Sequence, residues 1–128
     1  MTSSGCSLVA VTTSHDPQLL KGVLSMVLLH LLAEQESYGY EVAQRVQAAG
    51  FSDVLEGTVY PALTRLEREG RLATRLVPSP SGPARKYYRL TPAGREALRA
   101  AGESWSRHVA VVEAVLARPL PPSSEKGP

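Results

Sequence analysis

Apolar residues recur at intervals of three and four positions in four stretches of the chain, which is the spacing of α-helices that pack one face on a core. The spacing predicts four helices, over residues 20–35, 40–49, 58–69 and 92–117. Gly50 and Gly70 are suited to end the second and third helices, because glycine readily adopts the left-handed conformation that follows a helix. Thr91 and Pro92 supply a side-chain cap and a first-position proline for the fourth helix.

Two shorter stretches, RLATRLV from Arg71 and RKYYRL from Arg85, alternate in the manner of β-strands. The segment that joins them, PSPSGPA, is rich in proline and long for a hairpin, so we expect a stiff projecting loop. Tyr87 and Tyr88 should face opposite sides of their strand, with one of them on the core. The order of elements predicts a winged helix-turn-helix, mostly α with a small β-hairpin, although a generic small α+β domain has the same order.

The predicted helix over residues 58–69 has one apolar face and one polar, basic face. Val59, Leu63 and Leu66 form the apolar face, and Pro61 falls in the predicted first turn, where its missing amide has no partner to lose. The outward face carries Pro61, Thr64, Arg65 and Arg68, and Thr58 and Tyr60 at the start of the helix add two hydroxyls. The major groove of B-DNA accepts one α-helix, and hydroxyl and guanidinium groups are donors to base edges and phosphates. For an isolated helix, the better explanation of the same face is a solvated surface, since Arg65 and Arg68 alternate with Glu67 and Glu69.

The distribution of charge favours the nucleic-acid interpretation. Residues 1–56 carry two basic and six acidic side chains, whereas residues 57–99 carry nine basic and three acidic ones. Arg85 and Lys86 follow the tip of the predicted hairpin, with Arg75 and Arg89 further along its strands. Cations in these positions lie where a projecting wing would cross a phosphate backbone, and phosphate neutralisation supplies much of the affinity for DNA.

The last predicted helix carries an apolar stripe that is too long for the domain to cover. At 1.5 Å per residue the helix is about 39 Å long. The stripe repeats at alternating steps of three and four positions and consists of Leu98, Ala101, Trp105, His108, Val112 and Val115. The first helix is also apolar on nearly all sides, so we expect the two helices to form a homodimer interface. Trp105 is then either an interface side chain or a platform on which a flat ligand stacks, and His108 is either an interface residue or a protonation-sensitive gate.

The length of 128 residues is that of one domain. We expect a flexible arm over residues 1–17, a winged helix-turn-helix domain over 18–90, a dimerisation helix over 91–117 and a disordered tail over 118–128. Cys6 is the only cysteine, so no internal disulfide can form. The N-terminus has no secretory pattern and the most apolar run is about half a membrane span, which together predict a cytoplasmic protein without a membrane segment.

Three motifs in this order resemble the successive signatures of PadR-family transcriptional regulators: YGYEVAQRV from Tyr38, EGTVYPALTRLEREG from Glu56 and RKYYRLTPAG from Arg85, with LLKGVLSMVLLHLL ahead of them. The similarity covers residues 19–116. It implies a homodimeric winged-helix repressor that binds a palindromic operator on double-stranded DNA and is often released by a small molecule. The DNA contacts it implies are Lys21, Tyr38, Thr58, Tyr60, Pro61, Thr64, Arg65, Arg85 and Lys86.

Two further features bear on this resemblance. The short ending with one C-terminal helix is similar to the smaller subfamily, and ESWSRHVAVVEAVL resembles the stretch of its multidrug-sensing members in which the tryptophan matching Trp105 stacks on planar drugs. Leu55 departs from the pattern, since the family often has a small polar residue before EGT, which places one capping or phosphate contact in doubt. The proline-rich loop is a second departure, and it affects the reach of the wing.

Two other functional classes, a protein-interaction module and an enzyme, make different demands on the sequence. A winged-helix protein-interaction module without DNA binding is the alternative, and it predicts no salt-dependent binding to duplexes. The sequence contains no carboxylate pair, metal-ligand cluster or nucleophile arrangement of the kind that enzymes use, so we expect neither catalysis nor a metal or cofactor.

Overall fold

The computed structural model describes residues 16–123, which form four helices and a small antiparallel sheet. The elements are α1 (Pro17–Glu34), β1 (Ser37–Tyr38), α2 (Gly39–Ala48), α3 (Glu56–Arg68), β2 (Leu72–Ser79), β3 (Gly82–Leu90) and α4 (Pro92–Leu116). The predicted fold class is confirmed, with all four helices and the hairpin in the expected order. Most of the predicted arm, residues 1–15, and the end of the predicted tail, residues 124–128, lie outside the described residues.

Two helices begin two or three residues earlier than predicted, and α2 begins one residue earlier, at Gly39. The carboxylate of Asp16 accepts a hydrogen bond of 2.8 Å from the amide of Gln18, and Pro17 takes the first helical position, so α1 starts three residues before residue 20. Helix α3 starts at Glu56, which places Pro61 in its second turn. The prediction that Pro61 lies in the first turn is therefore wrong. Because proline has no N–H, the carbonyl of the exposed residue Gly57 loses its usual helical donor and is left to solvent or a ligand.

The sheet has three strands in the order β1, β3, β2, rather than the two that were predicted. Ser37 pairs with Tyr88 and Tyr38 with Tyr87, so the segment before α2 is hydrogen-bonded to the hairpin. Two residues are too few to show an alternating pattern, which is why sequence analysis missed this strand. As predicted, Tyr87 and Tyr88 differ in burial, and Tyr88 joins the core.

The hairpin of β2 and β3, which we call the wing, ends in a much tighter turn than predicted. Ser79 pairs with Gly82, so only two residues connect the strands, and the expected seven-residue loop is wrong. Pro78 lies within β2 and Pro83 within β3, and the register of the strands shifts between Val77 and Ser79. Proline cannot donate to the ladder, and a register irregularity is one of the places where a strand tolerates it.

The core lies between α1, α2, α3 and the inner face of the sheet. Its fourteen buried apolar residues are Leu24, Leu28, Leu29, Leu32, Val42, Ala43, Val46, Val54, Val59, Leu63, Leu66, Leu72, Tyr88 and Leu90. Helix α1 is long and apolar enough to span a membrane by length and composition, but in this fold four of its leucines pack in the core. Its other side is open, and Leu19 is 73% exposed.

Arg45 joins the end of α1 to α2. Its guanidinium donates to the carbonyl oxygens of Leu31 and Gln35 at 2.7 and 3.0 Å, and to the hydroxyl of the fully buried Ser37 at 2.8 Å. The Leu31 carbonyl thereby gains a second donor beside the Gln35 amide at 3.2 Å, and the carbonyl of the C-cap residue Gln35 gains a side-chain donor. The position of Tyr38 relative to α1 is therefore fixed by a residue of α2.

Helix α4 is attached to the domain by its first turns. The Thr91 hydroxyl accepts from the amide of Gly94 at 3.0 Å and donates to the carbonyl oxygen of Gly70 at 2.7 Å, which confirms the predicted cap. Further along, α4 turns apolar side chains to solvent: Trp105 is 49% exposed and Leu116 is 77% exposed. The helix ends at the predicted place, with Ala117 as its C-cap.

Candidate nucleic-acid interface

The outward face of α3 lies between two clefts. Val59, Leu63 and Leu66 are completely buried, which fixes the opposite side of the helix toward solvent. We call the cleft of about 690 Å³ between α1 and α3 the α1-side cleft. The cleft of about 400 Å³ between the start of α2, α3 and the wing is called the wing-side cleft.

These two clefts bring together all ten residues that the sequence predicted as DNA contacts. The α1-side cleft is lined by Lys21, Thr58, Pro61, Arg65 and Arg68. The wing-side cleft is lined by Tyr38, Tyr60, Thr64, Arg85 and Lys86. Residues from four separate elements, α1, β1, α3 and β3, thus converge on the two flanks of α3, a juxtaposition that their positions in the sequence do not require.

In the α1-side cleft, Arg65 is held by helix α1. Its Nη2 atom donates a hydrogen bond of 2.6 Å to the Oγ atom of Ser25. A guanidinium has five N–H donors, so this bond leaves four of them available, including enough for a two-pronged contact with a base edge or a phosphate. Ser25 was not predicted as a site residue, and no sequence signal connects two positions that lie forty residues apart.

In the wing-side cleft, tyrosines and cations are in contact. The rings of Tyr38 and Tyr87 lie with their centroids 5.5 Å apart, and the guanidinium of Arg85 lies 4.5 Å from the centroid of the Tyr38 ring. This cation–π contact leaves the charge of Arg85 uncompensated. Burial, followed by the charge of Glu56, raises the pKa of Tyr60, so its hydroxyl remains a protonated donor at neutral pH.

Two cations of the wing have carboxylate partners that sequence analysis missed. The Nζ atom of Lys86 lies 3.1 Å from Oε1 of Glu67, a residue of α3. Arg75 makes two hydrogen bonds to Glu36, of 2.7 and 3.0 Å, and these bonds lower the pKa of the Glu36 carboxyl. Arg75 therefore ties the base of the wing to the segment after α1. It contributes less positive charge to the wing than its sequence position suggested.

The start of α3 has no side-chain cap. Leu55 stands at the N-cap position and is 61% exposed, and leucine offers no hydrogen-bond acceptor. The departure from the family pattern noted at this position thus has a structural consequence: no side chain at the N-cap accepts from the first turn, in which the Thr58 amide donates to the Leu55 carbonyl at 2.9 Å. The N-terminus of a helix favours an anion at such a place.

Trp105 and His108 line a separate surface between α1 and α4. Two adjoining apolar clefts of about 520 and 420 Å³ share Leu19, Val23, Met26 and Trp105, and His108 lines the smaller one. The Nδ1 atom of His108 lies 2.7 Å from the carbonyl oxygen of Ser104, so Nδ1 carries the proton in this contact and Nε2 is left for another partner. The structure brings the two predicted ligand-binding residues together, on a surface that the described chain leaves open.

A three-helix core with a β-hairpin wing and an exposed, basic third helix defines the winged-helix class of proteins. Comparison with known proteins identifies the family within the winged-helix class. Residues 28–100 match the transcriptional regulator PadR-like family. A transcriptional regulator of Mycobacterium tuberculosis is 39% identical over 94 residues, which cover 70% of this chain and 84% of that protein. The chain therefore belongs to the PadR-like family of transcriptional regulators, and it is not an enzyme.

Solved structures support the same assignment. A PadR-like transcriptional regulator from Bacillus cereus superposes with a TM-score of 0.71 at 37% identity, covering 80% of this chain and 99% of that one. A PadR family regulator from Eggerthella lenta superposes with a TM-score of 0.74 at 30% identity, covering 89% of this chain and 93% of that one. The family and the fold implied by the sequence motifs are thereby confirmed.

Proposed function

We propose that the protein is a cytoplasmic, homodimeric repressor that binds a palindromic operator on double-stranded DNA. The observation that carries this proposal is the convergence of the ten residues on the two flanks of α3. In the proposed complex α3 lies in the major groove. Arg65 and Thr64 face the base edges, while Lys21 and Tyr38 reach the phosphates on either side.

The wing in this proposal follows the backbone next to the groove. Arg85 supplies its principal charge, because its contact in the free protein is an uncharged ring. The uncapped start of α3 offers backbone amides to a nearby phosphate, as helix N-termini commonly do. Arg68 lies a full turn beyond Thr64 and contacts the far edge of the same site.

The homodimer is supported by apolar surface that one chain leaves exposed. On α4, Trp105, Val112 and Val115 are 49%, 50% and 46% exposed, and on α1 Leu19 is 73% exposed. Single exposed apolar residues are common on proteins, but a contiguous patch on two adjacent helices is typical of an interface. A twofold axis through this patch would present two copies of α3, and a palindrome read by both requires them to lie about 34 Å apart.

Release by a planar aromatic effector is the regulatory part of the proposal. The clefts beside Trp105 fall within the range of about 300–1,000 Å³ that is usual for small-molecule sites, and their lining is mostly apolar. Trp105 supplies a stacking surface and His108 a polar group at the rim. The effector would bind where α1 and α4 meet the partner's copy of the same surface.

The proposal is tested by selecting bound sequences from a pool of random duplexes and by measuring the mass of the protein in solution. We expect enrichment of an inverted repeat with half-sites about one helical turn apart, and a mass of two chains. A monomer, or a protein without preference among duplexes in ordinary buffer, would refute the proposal. Absence of any salt-dependent duplex binding would favour the protein-interaction alternative.

A further inference from the structure

Glu67 occupies the junction between α3 and the wing. Its side chain leaves the flank of α3 that faces the hairpin and contacts both strands, through Thr74 on β2 and Lys86 on β3. The Thr74 hydroxyl donates to Oε2 at 3.1 Å, and the Lys86 ammonium lies 3.1 Å from Oε1. Each oxygen of the carboxylate has its own partner, so the group is held with one oxygen toward the lysine.

The two neighbouring cations of the wing are consequently in different electrostatic states. Arg85 contacts an uncharged tyrosine ring, whereas Lys86 contacts a full negative charge. The bond to Glu67 also raises the pKa of Lys86, which therefore remains a cation at neutral pH. Toward an approaching phosphate, Lys86 and Glu67 together act as a neutral pair.

From this geometry we infer that Glu67 competes with DNA phosphate for Lys86 and thereby lowers the sequence-independent part of the affinity for DNA. The inference rests on the proposed function. A phosphate oxygen bound to Lys86 lies within about 6 Å of the Glu67 carboxylate, which is less than the Debye length at physiological salt. The repulsion is thus present whether the lysine keeps its internal partner or exchanges it for phosphate.

Stability alone does not account for the pair. The side chains of Lys86 and Glu67 are 47% and 33% exposed, and ion pairs with this degree of exposure contribute little to folding. A limit on affinity does have a use in a regulator that must leave its operator. An effector typically changes affinity by only about 5–150-fold, so a protein held too firmly by phosphates would not be released.

The test is Glu67→Gln, which removes the charge while keeping the shape and an acceptor for Thr74. Each additional phosphate neutralised changes the slope of log K against log salt by about 0.9. We expect a slope steeper by about that amount. The advantage of the variant over the wild type should therefore shrink about 3.5-fold between 50 and 200 mM salt. The gain should be the same for operator and random duplexes, because phosphate contacts carry no sequence information.

Glu69→Gln is the matched control. It removes the same charge from the end of the same helix, but the cation that Glu69 pairs with, Arg71 at 3.7 Å, lines neither cleft, whereas Lys86 lines the wing-side cleft. Its slope should stay close to that of the wild type. In a Lys86→Ala background, Glu67→Gln should no longer change the slope, because the cation that it unmasks is gone.

Three results would overturn the inference: an unchanged slope in Glu67→Gln, an equal change in Glu69→Gln, or an undiminished effect without Lys86. A gain confined to the operator would reassign Glu67 to base recognition and would overturn it too. Thermal unfolding of each variant shows whether the fold is retained. If the wild type itself binds no duplex, the proposed function fails, whereas binding with an unchanged slope in Glu67→Gln rejects only this inference.

Discussion

Replacing Gly94 with alanine should push α4 away from the turn that follows α3. A Cβ atom at Gly94 would lie 2.1 Å from the carbonyl oxygen of Arg71 and 3.1 Å from its carbonyl carbon. Nonbonded heavy atoms are repelled well before that distance, so the two backbones have to separate by about 1 Å. Because both close neighbours are backbone atoms, no side-chain rotation relieves the overlap.

The expected loss of stability follows from the contacts at this joint. Overpacking of this kind typically costs about 1–3 kcal/mol. The separation also stretches two hydrogen bonds, from the Thr91 hydroxyl to Gly70 at 2.7 Å and from the Thr91 amide to Arg71 at 3.2 Å. Each contributes about 1 kcal/mol, while the better helix propensity of alanine returns about 1 kcal/mol. The free energy of unfolding should therefore fall by about 2–4 kcal/mol.

Urea unfolding followed by circular dichroism, at one fixed protein concentration, measures this loss. Gly102→Ala is the control, since a Cβ atom there meets nothing within 4 Å in the described chain. It should stabilise α4 by up to about 1 kcal/mol. Equal effects of the two substitutions, or a Gly94→Ala variant as stable as the wild type, would show that α4 does not rest on this turn.

Three further predictions concern single side chains. Arg65→Ala should reduce discrimination between the operator and point variants by about 1–3 kcal/mol if Arg65 contacts a base. Ser25→Ala should reduce this discrimination by a smaller amount. An unchanged site preference in footprints of Arg65→Ala would reassign Arg65 to a contact with the DNA backbone. The stability that Glu36 gains from Arg75 should be present at neutral pH and disappear as the pH falls through the lowered pKa of Glu36, because the depressed pKa favours the charged, folded form. Unfolding curves of the wild type and Glu36→Gln should therefore differ at pH 7 and converge in acid, and a constant difference would contradict this. Fluorescence of Trp105, the only tryptophan, should change on titration with planar aromatic cations, and indifference to a panel of planar cationic and phenolic compounds would refute the effector site.

The sequence predicted the existence of the helices better than their beginnings. The predicted start of α3 was two residues too late, because the residue at its N-cap is Leu55, which is none of the usual capping residues. The predicted start of α1 was three residues too late. Asp16 and Pro17 are typical capping and first-position residues, but the prediction placed them in the flexible arm. The predicted seven-residue loop is wrong because proline, which is typical of loops, also occurs within the strands of this wing. In the fold, a register shift accommodates Pro78 within the strand.

What the sequence determined by itself is local. The period of apolar residues sets which face of α3 is buried by Val59, Leu63 and Leu66, and the basic residues are then on the outside. The family motifs are local patterns of the same kind, and they imply nine of the ten predicted contact residues that line the two clefts, while the tenth, Arg68, follows from the polar face of the helix.

Only the tertiary structure decided which side chains are partners. Arg65 bonds to Ser25, Arg75 pairs with Glu36, and Lys86 pairs with Glu67, although up to forty residues separate the partners in the sequence. No periodicity encodes such pairs, because they depend on how α1, α3 and the wing cross one another in space. The charge that the wing presents to DNA is therefore a property of the fold, since the core sets which of its cations are balanced by a carboxylate.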